Sequence, residues 1–330
     1  MFSKKNKIIF FVRYPSGNDL KDGYFQRIIS INNILSDFDK YYINYRYNQN
    51  NFLLFLDVVK IKEGVFEIRP CVKNPLHLFI ILIFSFFAER VYIHSILTLR
   101  LRLNRLSFLI SKKRILDVHG VVPEEFEMHE NYIKSKFFNK IEKFAVKKST
   151  LIIGVTEKMI SHLEKKYNSK KQSILLPIMS NRQNCSTIIK KNTEPNSIIY
   201  CGGLQEWQQV KKMLAYVNNH KNKYNFTFIV PNPENLNKEY IETYKESFPG
   251  IITSSSSNDL SKLYQKNYFG LIFRKDTLVN NVACPTKLIE YLQNNILPIV
   301  DSEDIGDFKK LGYNYIYYKE NLPSKNEWLR

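Results

Sequence analysis

The segment FGLIFRKDTLVNNVACPTKLIEYLQNNILPIV, residues 269–300, has the pattern of a β-α-β unit. Two short apolar runs, 269–273 and 296–300, have the length of buried strands, and a helical pattern over 285–293 lies between them. Proline suits the first turn of a helix, where its missing N–H costs nothing, so Pro285 marks the helix start. Strands that alternate with helices in this way usually pair in parallel, which predicts an α/β fold.

The same alternation extends through the rest of the chain. Strands are predicted at 8–13, 52–59, 64–68, 90–94, 114–118, 151–155, 197–200, 226–230 and 251–253. Helices are predicted at 24–35, 76–88, 96–109, 126–148, 156–167, 210–219, 235–246 and 259–265. The polar stretch 181–196 interrupts the pattern and is the candidate linker. We therefore expect two α/β domains, 1–180 and 197–330, with mostly parallel sheets that face each other across a cleft.

Composition narrows the function. The chain has 330 residues with 44% hydrophobic side chains, which excludes wholesale disorder. Its four cysteines lack the spacing of a zinc ribbon and fit a reducing cytoplasm.

The charge is distributed unevenly along the chain. Residues 1–193 carry 33 basic and 16 acidic side chains, whereas residues 194–330 carry 16 basic and 15 acidic side chains. The first domain therefore predicts an anionic partner such as a membrane face, a phosphorylated lipid or a nucleic acid, although a coding bias towards lysine is an alternative.

Two sequence patterns narrow the choice among nucleic acid, membrane and core contacts. The basic residues lie mostly on amphipathic helices without a recognised nucleic-acid motif, so we expect no nucleic-acid partner. The most apolar stretch, residues 76–88, has 13 residues, whereas a membrane-spanning helix needs roughly 20. This stretch is expected to form a buried helix, with an interfacial helix as the alternative.

The strongest candidate site lies at the helix start near residue 285. Lys287 falls in the first turn, and Arg274 follows the preceding strand. Two cations beside free helix amides suit a diphosphate. Glu290 lies on the same helix face and can accept hydrogen bonds from a pair of sugar hydroxyls, as acidic residues do for nucleotide ribose. An ordinary helix with a Lys287–Glu290 ion pair is the alternative.

Two further candidate sites, a glycine pair and a histidine, lie at predicted strand ends. Gly202 and Gly203 follow a strand and allow a close approach of the backbone to a phosphate, although a tight turn is equally consistent. His119 ends another strand and can orient a sugar hydroxyl, although a lone histidine is more often structural.

The loop after the first strand is the candidate acceptor site. Gly17, Asn18 and Gly23 shape this loop, and Arg27 is in a position to reach an anion there. A solvated loop is the alternative.

Motifs for a metal site or a bound cofactor are not found, so we expect neither a metal nor a cofactor besides the substrates.

Taken in order, five segments carry a resemblance to a known family. They are VRYPSGNDLKDGYFQR, ILDVHGVVPEE, IIGVTEKMISHLEKKY, IIYCGGLQEWQ and GLIFRKDTLVNNVACPTKLIEYL. The chain resembles the retaining glycosyltransferases of the GT-B fold, family 4, in the branch that builds bacterial surface polysaccharides such as capsule and O-antigen. The resemblance implies two Rossmann-like domains, with a nucleotide-sugar held by the second and the acceptor by the first.

The resemblance also implies roles for particular residues. Arg274 and Lys287 would hold the diphosphate, Glu290 the ribose, and His119 would contact the donor sugar. Together with their neighbours along the chain, the candidate donor-binding residues are Gly202, Gly203, Gln205, Arg274, Asn281, Thr286, Lys287 and Glu290. The acceptor would be a lipid-linked or growing saccharide, which places the enzyme in the cytoplasm, peripheral on the anionic inner face of the cell membrane. Val282 and Gln205 depart from the family pattern, so a non-catalytic sugar-binding or partner subunit is the alternative function.

Overall fold

The computed structural model describes residues 6–17, 19, 22–47, 55–178, 196–254, 257–320 and 322. The chain separates into two compact units, Met1–Pro177 and Ile178–Arg330. Of the predicted linker at 181–196, only Asn196 lies within the described residues. Each unit contains one sheet with helices connecting its strands, as the alternating pattern predicts.

The first unit has an eight-stranded sheet in the order β3-β4-β2-β1-β5-β6-β7-β8, in which only the edge strand β3 is antiparallel to its neighbour. Its strands are β1 (Lys7–Phe10), β2 (Asp39–Ile43), β3 (Asp57–Lys62), β4 (Val65–Arg69), β5 (Arg90–Ile93), β6 (Lys113–Val118), β7 (Leu151–Gly154) and β8 (Ser173–Leu175). Its helices are α1 (Gly23–Ile34), α2 (Pro75–Phe87), α3 (Arg102–Ile110), α4 (Val122–Met128), α5 (Tyr132–Lys148) and α6 (Glu157–Tyr167).

Alternate side chains of the central strands face opposite helix layers. Tyr42 stacks on Phe10 at 4.8 Å between ring centroids and belongs to the core that includes Ile28 and Ile31 of α1. The preceding Tyr41 points to the other face, where its ring lies 4.8 Å from Phe84 of α2. The sheet therefore buries both faces, which is typical of a parallel sheet.

The prediction of a buried helix at 76–88 is wrong. Of the residues in α2, only His77, Ile81 and Ser85 are buried, whereas several large apolar side chains on the opposite face are exposed. Thirteen consecutive residues without charge predict burial on every side. A single sheet covers only one side of this helix, however, so burial of the other side depends on a second layer.

Three other elements differ from the sequence-based prediction. Strand β2 was not predicted because Asp39 and Lys40 are polar, yet both are buried. Lys40 Nζ donates hydrogen bonds to the carbonyl oxygens of Asn32 and Leu35 at the end of α1. These hydrogen bonds compensate the buried ammonium group. The predicted helix 126–148 is divided into α4 and α5 because the Asn131 side chain caps the second helix by accepting from the Lys134 amide.

The predicted helix 96–109 likewise starts with a 3-10 turn, Ile96–Arg100, and the α-helix begins only after extended Leu101. By contrast, the predicted cap at Thr156 is confirmed, since its hydroxyl accepts from the Met159 amide. Within the described residues, no helix has both the length and the apolar character needed to cross a membrane.

The second unit has a six-stranded, fully parallel sheet in the order β11-β10-β9-β12-β13-β14. Its strands are β9 (Ser197–Cys201), β10 (Asn225–Ile229), β11 (Gly250–Thr253), β12 (Phe269–Ile272), β13 (Leu297–Val300) and β14 (Ile316–Tyr317). Its helices are α7 (Val210–His220), α8 (Pro233–Tyr244), α9 (Ser257–Lys266), α10 (Leu278–Asn281) and α11 (Thr286–Gln293).

This strand order is that of a dinucleotide-binding sheet, in which the chain direction across the sheet reverses between the first and fourth strands. Here the reversal falls between β9 and β12. Ligands of such sheets bind beyond the carboxyl ends of the strands at the reversal. Gly202 directly follows β9, and Arg274 lies two residues after the end of β12, so both lie where the fold predicts a ligand.

Candidate functional site

Gly202 allows the side chain of Lys287 to cross the turn after β9. A Cβ atom at position 202 would lie 1.9 Å from Lys287 Cε and 2.0 Å from Nζ, far inside van der Waals contact. Position 202 therefore requires glycine as long as Lys287 keeps this conformation. The adjacent Gly203 accepts a hydrogen bond from the Tyr200 hydroxyl through its carbonyl oxygen, which holds the turn over the end of β9.

Lys287 is held by neutral partners. Its Nζ donates to Gln208 Oε1 at 3.0 Å and to the Tyr200 hydroxyl at 3.3 Å, and it lies 4.8 Å from the centre of the Tyr200 ring. Burial and the positive charge of nearby Arg274 lower the pKa of Lys287 to about 7. A partly buried cation beside a second cation favours binding of an anion, because an anion would compensate both charges.

Arg274 lies at the end of β12. Its backbone amide donates to Asp301 Oδ1 at 2.6 Å, and its Nη1 donates to Asn280 Oδ1 at 2.9 Å. Its Nε is buried and has no hydrogen-bond partner among the described residues. Burial lowers the pKa of Arg274 to about 10, so the guanidinium is charged at neutral pH. One strong donor of this cation is therefore left without a hydrogen bond by the described residues.

Glu290 lies one turn along α11 from Lys287. Its Oε2 accepts from the Tyr264 hydroxyl at 2.7 Å, and no ion pair with Lys287 is formed. The Tyr264 ring packs edge-on against Tyr291, whose hydroxyl accepts from the Cys201 amide. This chain of contacts connects the carboxylate of Glu290 to the end of β9. A partly exposed carboxylate with one oxygen in use can still accept hydrogen bonds from sugar hydroxyls.

The remaining predicted donor residues are close in the chain to Gly202, Arg274 or Lys287, and they differ in their contacts and exposure. The Gln205 side chain folds back over Gly203 and is exposed to solvent. Asn281 donates to Asp276 Oδ1 at 2.9 Å. Thr286 is the first residue of α11 and is partly exposed. Pro285 is the N-terminal cap of that helix, one position before the predicted first-turn position.

Three residues of this site were not predicted. Tyr200 and Gln208 hold Lys287, and Asp301 holds the Arg274 backbone while also accepting from Gln209 and Lys212. Asp301 directly follows β13, and a carboxylate at the end of a predicted parallel strand is a signal that sequence reasoning can use. Tyr200 and Gln208 contact Lys287 only because of the path that its side chain takes. The sequence therefore contains no comparable signal for these two residues.

In the first unit, His119 follows β6 and lies against two rings. Its ring centroid is 4.6 Å from His94 and 5.6 Å from Tyr24, and its Nδ1 is buried without a partner among the described residues. Burial and the neighbouring His94 lower the pKa of His119 to about 3. At neutral pH the imidazole is therefore uncharged and can donate one hydrogen bond and accept another.

Behind His119, a buried ion pair joins two elements of the same unit. Arg27 on α1 contacts both oxygens of Asp117 on β6, with the shortest distance 2.6 Å, and it also donates to the Leu176 carbonyl oxygen. The predicted contact of Arg27 with an acceptor anion stays a prediction and would require this ion pair to open. His94, Asp117 and His119 have the donor atoms of a metal site within 4.8 Å of one another. Because Arg27 already engages the carboxylate, this group does not fit a cation.

The predicted acceptor loop is only partly described. Gly17 is exposed, Gly23 is the first residue of α1, and Asn18 lies outside the described residues. A cavity of about 360 Å³ lies nearby in the same unit. It is lined at the ends of β1 and β2 by Arg13, Asn44 and Tyr45, and from the helical side by Arg100 and Asn104. The Tyr45 hydroxyl donates to Asn104 Oδ1 at 2.5 Å.

Comparisons with known proteins identify the fold. No protein-family profile and no curated protein sequence matches the chain. Several solved structures do match at low identity. HepE from Anabaena in complex with UDP gives a TM-score of 0.63 at 8% identity over 94% of this chain and 85% of that chain. Sucrose-phosphate synthase from Thermosynechococcus elongatus gives 0.58 at 11% identity over 93% and 83%.

A third structure is the UDP-forming α,α-trehalose-phosphate synthase from Burkholderia vietnamiensis, with a TM-score of 0.59 at 9% identity over 96% of this chain and 87% of that chain. These proteins are GT-B glycosyltransferases with two Rossmann-like domains. The predicted fold class is confirmed: the chain has the α/β architecture of the GT-B fold, with two Rossmann-like domains and mostly parallel sheets.

Proposed function

We propose that the protein is a glycosyltransferase that moves a sugar from a nucleotide-diphosphate sugar to a lipid-linked or growing saccharide. The observation that carries the proposal is the pair of cations, Arg274 and Lys287, beside the glycine turn of Gly202 at the reversal point of the second sheet. Neither side chain forms an ion pair with a carboxylate among the described residues. A diphosphate supplies the negative charge that the pair lacks.

The chemistry follows from where charge develops. As the bond between the anomeric carbon and the diphosphate oxygen breaks, negative charge grows on the leaving diphosphate. The free Nε of Arg274, the ammonium of Lys287 and the first amides of α11 would stabilise that charge. The acceptor hydroxyl forms the new bond to the anomeric carbon and transfers its proton to an oxygen of the leaving diphosphate. We propose a retaining, metal-independent transfer that needs no cofactor besides the two substrates.

Two further residues have proposed roles in substrate recognition. Glu290 accepts hydrogen bonds from the ribose hydroxyls through its free carboxylate oxygen. His119, uncharged at neutral pH, forms a hydrogen bond with the donor sugar. The acceptor is held by the first unit, in the loop that contains Gly17, Asn18 and Gly23 or in the adjoining cavity lined by Asn44 and Tyr45.

The cellular role that we propose is synthesis of a bacterial surface polysaccharide. The net charge of residues 1–193 is +17, and each Lys or Arg near an anionic leaflet contributes about 1 kcal/mol of attraction. The protein would therefore work in the cytoplasm, peripheral on the inner face of the membrane. A lipid-linked acceptor would meet the soluble nucleotide-sugar at that surface.

The direct test is sugar transfer from a panel of radiolabelled nucleotide-sugars, with EDTA present. We expect Arg274→Ala and Glu290→Ala each to lower transfer at least about tenfold, because each loses a contact with the donor. Glu234→Ala is the matched control, since Glu234 is an exposed residue in the first turn of α8. Full activity of both site variants would refute the assigned site. Donor binding without transfer in the wild type would instead favour a non-catalytic sugar-binding subunit.

The pKa of Lys287 predicts a pH dependence of donor binding. Only the protonated amine attracts the diphosphate, so affinity for UDP is expected to fall as the pH rises above about 7, by about tenfold between pH 7 and pH 8.5. Binding at the higher pH should be accompanied by proton uptake, which calorimetry in buffers of different ionisation enthalpy measures. Lys287→Arg is the control, because arginine keeps its charge over this range. An equally steep decline in that variant would assign the titration to another group.

A further inference from the structure

Helix α2 presents a continuous apolar face to solvent. Leu76, Phe79, Ile83, Phe86 and Phe87 are each between 43% and 76% exposed. Their spacing of three and four residues places them along one side of the helix. Scattered exposed apolar residues are ordinary on protein surfaces, but a stripe of five large side chains on one helix marks an interaction surface.

The polar residues of α2 point inward. The buried His77 accepts a hydrogen bond from the Cys71 amide through Nδ1 at 3.1 Å, and the buried Ser85 hydroxyl donates to the Ile81 carbonyl oxygen at 2.7 Å. The helix contains no charged residue. Its polarity is thus the reverse of that of a helix that packs on a core and faces water. Every exposed residue of α2 is apolar.

The neighbouring helix α3 extends this surface. It packs against α2 and exposes Leu106, Leu109 and Ile110, each at 39% or more. Around the two helices the charge is almost all of one sign, because residues 71–116 contain eight Lys or Arg and a single carboxylate. Arg100, Arg102 and Lys112 are exposed, and none of them has an acidic partner in the part of the chain that the structure describes.

We propose that the exposed apolar side chains of α2 and α3, which we call the α2–α3 face, insert into the headgroup boundary of an anionic lipid bilayer. This deepens the membrane part of the proposed function by assigning the contact surface, and it does not depend on the donor site. With 13 residues, α2 is shorter than the roughly 20 that cross a bilayer, so it lies along the interface. The flanking cations then meet the anionic headgroups.

The charge around the face favours lipid over a second copy of the chain. A symmetric dimer through the α2–α3 face would place the same patch of each copy together, with Arg100, Arg102 and Lys112 of both copies around one interface. Like charges at a shared border oppose association, whereas an anionic leaflet attracts all of them. A bilayer also accepts an apolar surface without requiring a complementary shape.

The test is sedimentation of the full chain with vesicles of phosphatidylcholine alone or mixed with phosphatidylglycerol at about three to one. The triple variant Phe79→Ser, Phe86→Ser, Phe87→Ser is expected to lower partitioning into the mixed vesicles at least about tenfold. The matched control is Ile241→Ser, Ile251→Ser, Leu311→Ser, which removes exposed apolar side chains from the second unit and should change partitioning less than about twofold. Fluorescence of Phe86→Trp should be quenched by brominated lipid.

The possible outcomes separate the proposals. If the triple phenylalanine variant partitions into the mixed vesicles as strongly as the wild type, the proposed bilayer contact is overturned. Analytical ultracentrifugation that shows a wild-type dimer and a monomeric triple variant, with equal vesicle binding, would assign the face to a second copy. Transfer to a water-soluble saccharide reports on the donor site alone and should be the same in the triple variant and the wild type. If neither the wild type nor any variant transfers sugar to the water-soluble saccharide, the proposed function is refuted. The proposed membrane contact is not affected by that result.

Discussion

Replacing Lys287 with methionine is expected to lower sugar transfer at least about 100-fold. Methionine keeps most of the side-chain volume beside Gly202 and removes the charge that the leaving diphosphate requires. Loss of one preorganised donor to a developing anion typically costs about 100- to 1,000-fold in rate. The measurement is the initial rate of transfer at saturating donor, together with the affinity for UDP.

Stability separates this effect from misfolding. The Lys287 ammonium is held by neutral groups and its pKa is lowered by burial, so its removal relieves a desolvation cost. We therefore expect the melting temperature of Lys287→Met to equal or exceed that of the wild type. Lys238→Met, at an exposed position of α8, is the control and should leave both rate and stability unchanged. More than a tenth of wild-type activity in Lys287→Met would exclude this lysine from the reaction.

Replacing Asp117 with alanine is expected to destabilise the first unit by about 3–5 kcal/mol. The carboxylate is fully buried, and it accepts hydrogen bonds from Arg27, the Tyr92 hydroxyl and His94. Without it, the buried Arg27 guanidinium loses the carboxylate that it contacts through both oxygens, and weakening the compensation of a buried charge is costly. Urea denaturation followed by circular dichroism measures the change in the free energy of unfolding.

The double variant Arg27→Met, Asp117→Leu tests the cause. It removes both charges and fills their volume with apolar atoms, so it should recover most of the stability that Asp117→Ala loses. An equal loss of stability in both variants would indicate that packing, and not the lost charge compensation, is responsible.

The same ion pair predicts a response to acid. Burial by itself raises the pKa of Asp117, but the hydrogen bond from His94 and the charge of Arg27 outweigh it and hold the pKa well below the usual range. The group therefore stabilises the fold above the unfolded-state pKa of about 4, and this stabilisation is lost as the pH falls further. The double variant should lack this part of the acid dependence.

Much of the architecture could be predicted from local patterns. The strands of the second unit are short apolar runs bounded by turn residues, and these patterns identify parallel strands because both faces of such a sheet are buried. In the first unit, β2 was missed because its Asp39 and Lys40 are polar. Their burial depends on carbonyl oxygens at the end of α1, which a local pattern cannot reveal.

The candidate donor site was predicted in outline. Arg274, Lys287 and Glu290 are recognisable because they lie at strand ends or in the first turns of a helix, where a parallel sheet binds ligands. Their partners are not recognisable in the same way. Tyr200 is a strand residue like many others, and only the course of the Lys287 side chain over Gly202 brings its hydroxyl into the site.

The amino-acid sequence by itself determined the alternation of strands and helices, the two α/β units and the cationic character of the first, since each depends on residues close together in the chain. Only the tertiary structure decided which side of α2 is buried and which groups neutralise Arg27. Both depend on neighbours far away in the chain: Tyr41 lies beneath Phe84, and Asp117 lies 90 residues from Arg27. Burial and charge compensation are properties of such distant contacts, because an apolar or charged side chain has the same local pattern whatever finally packs against it.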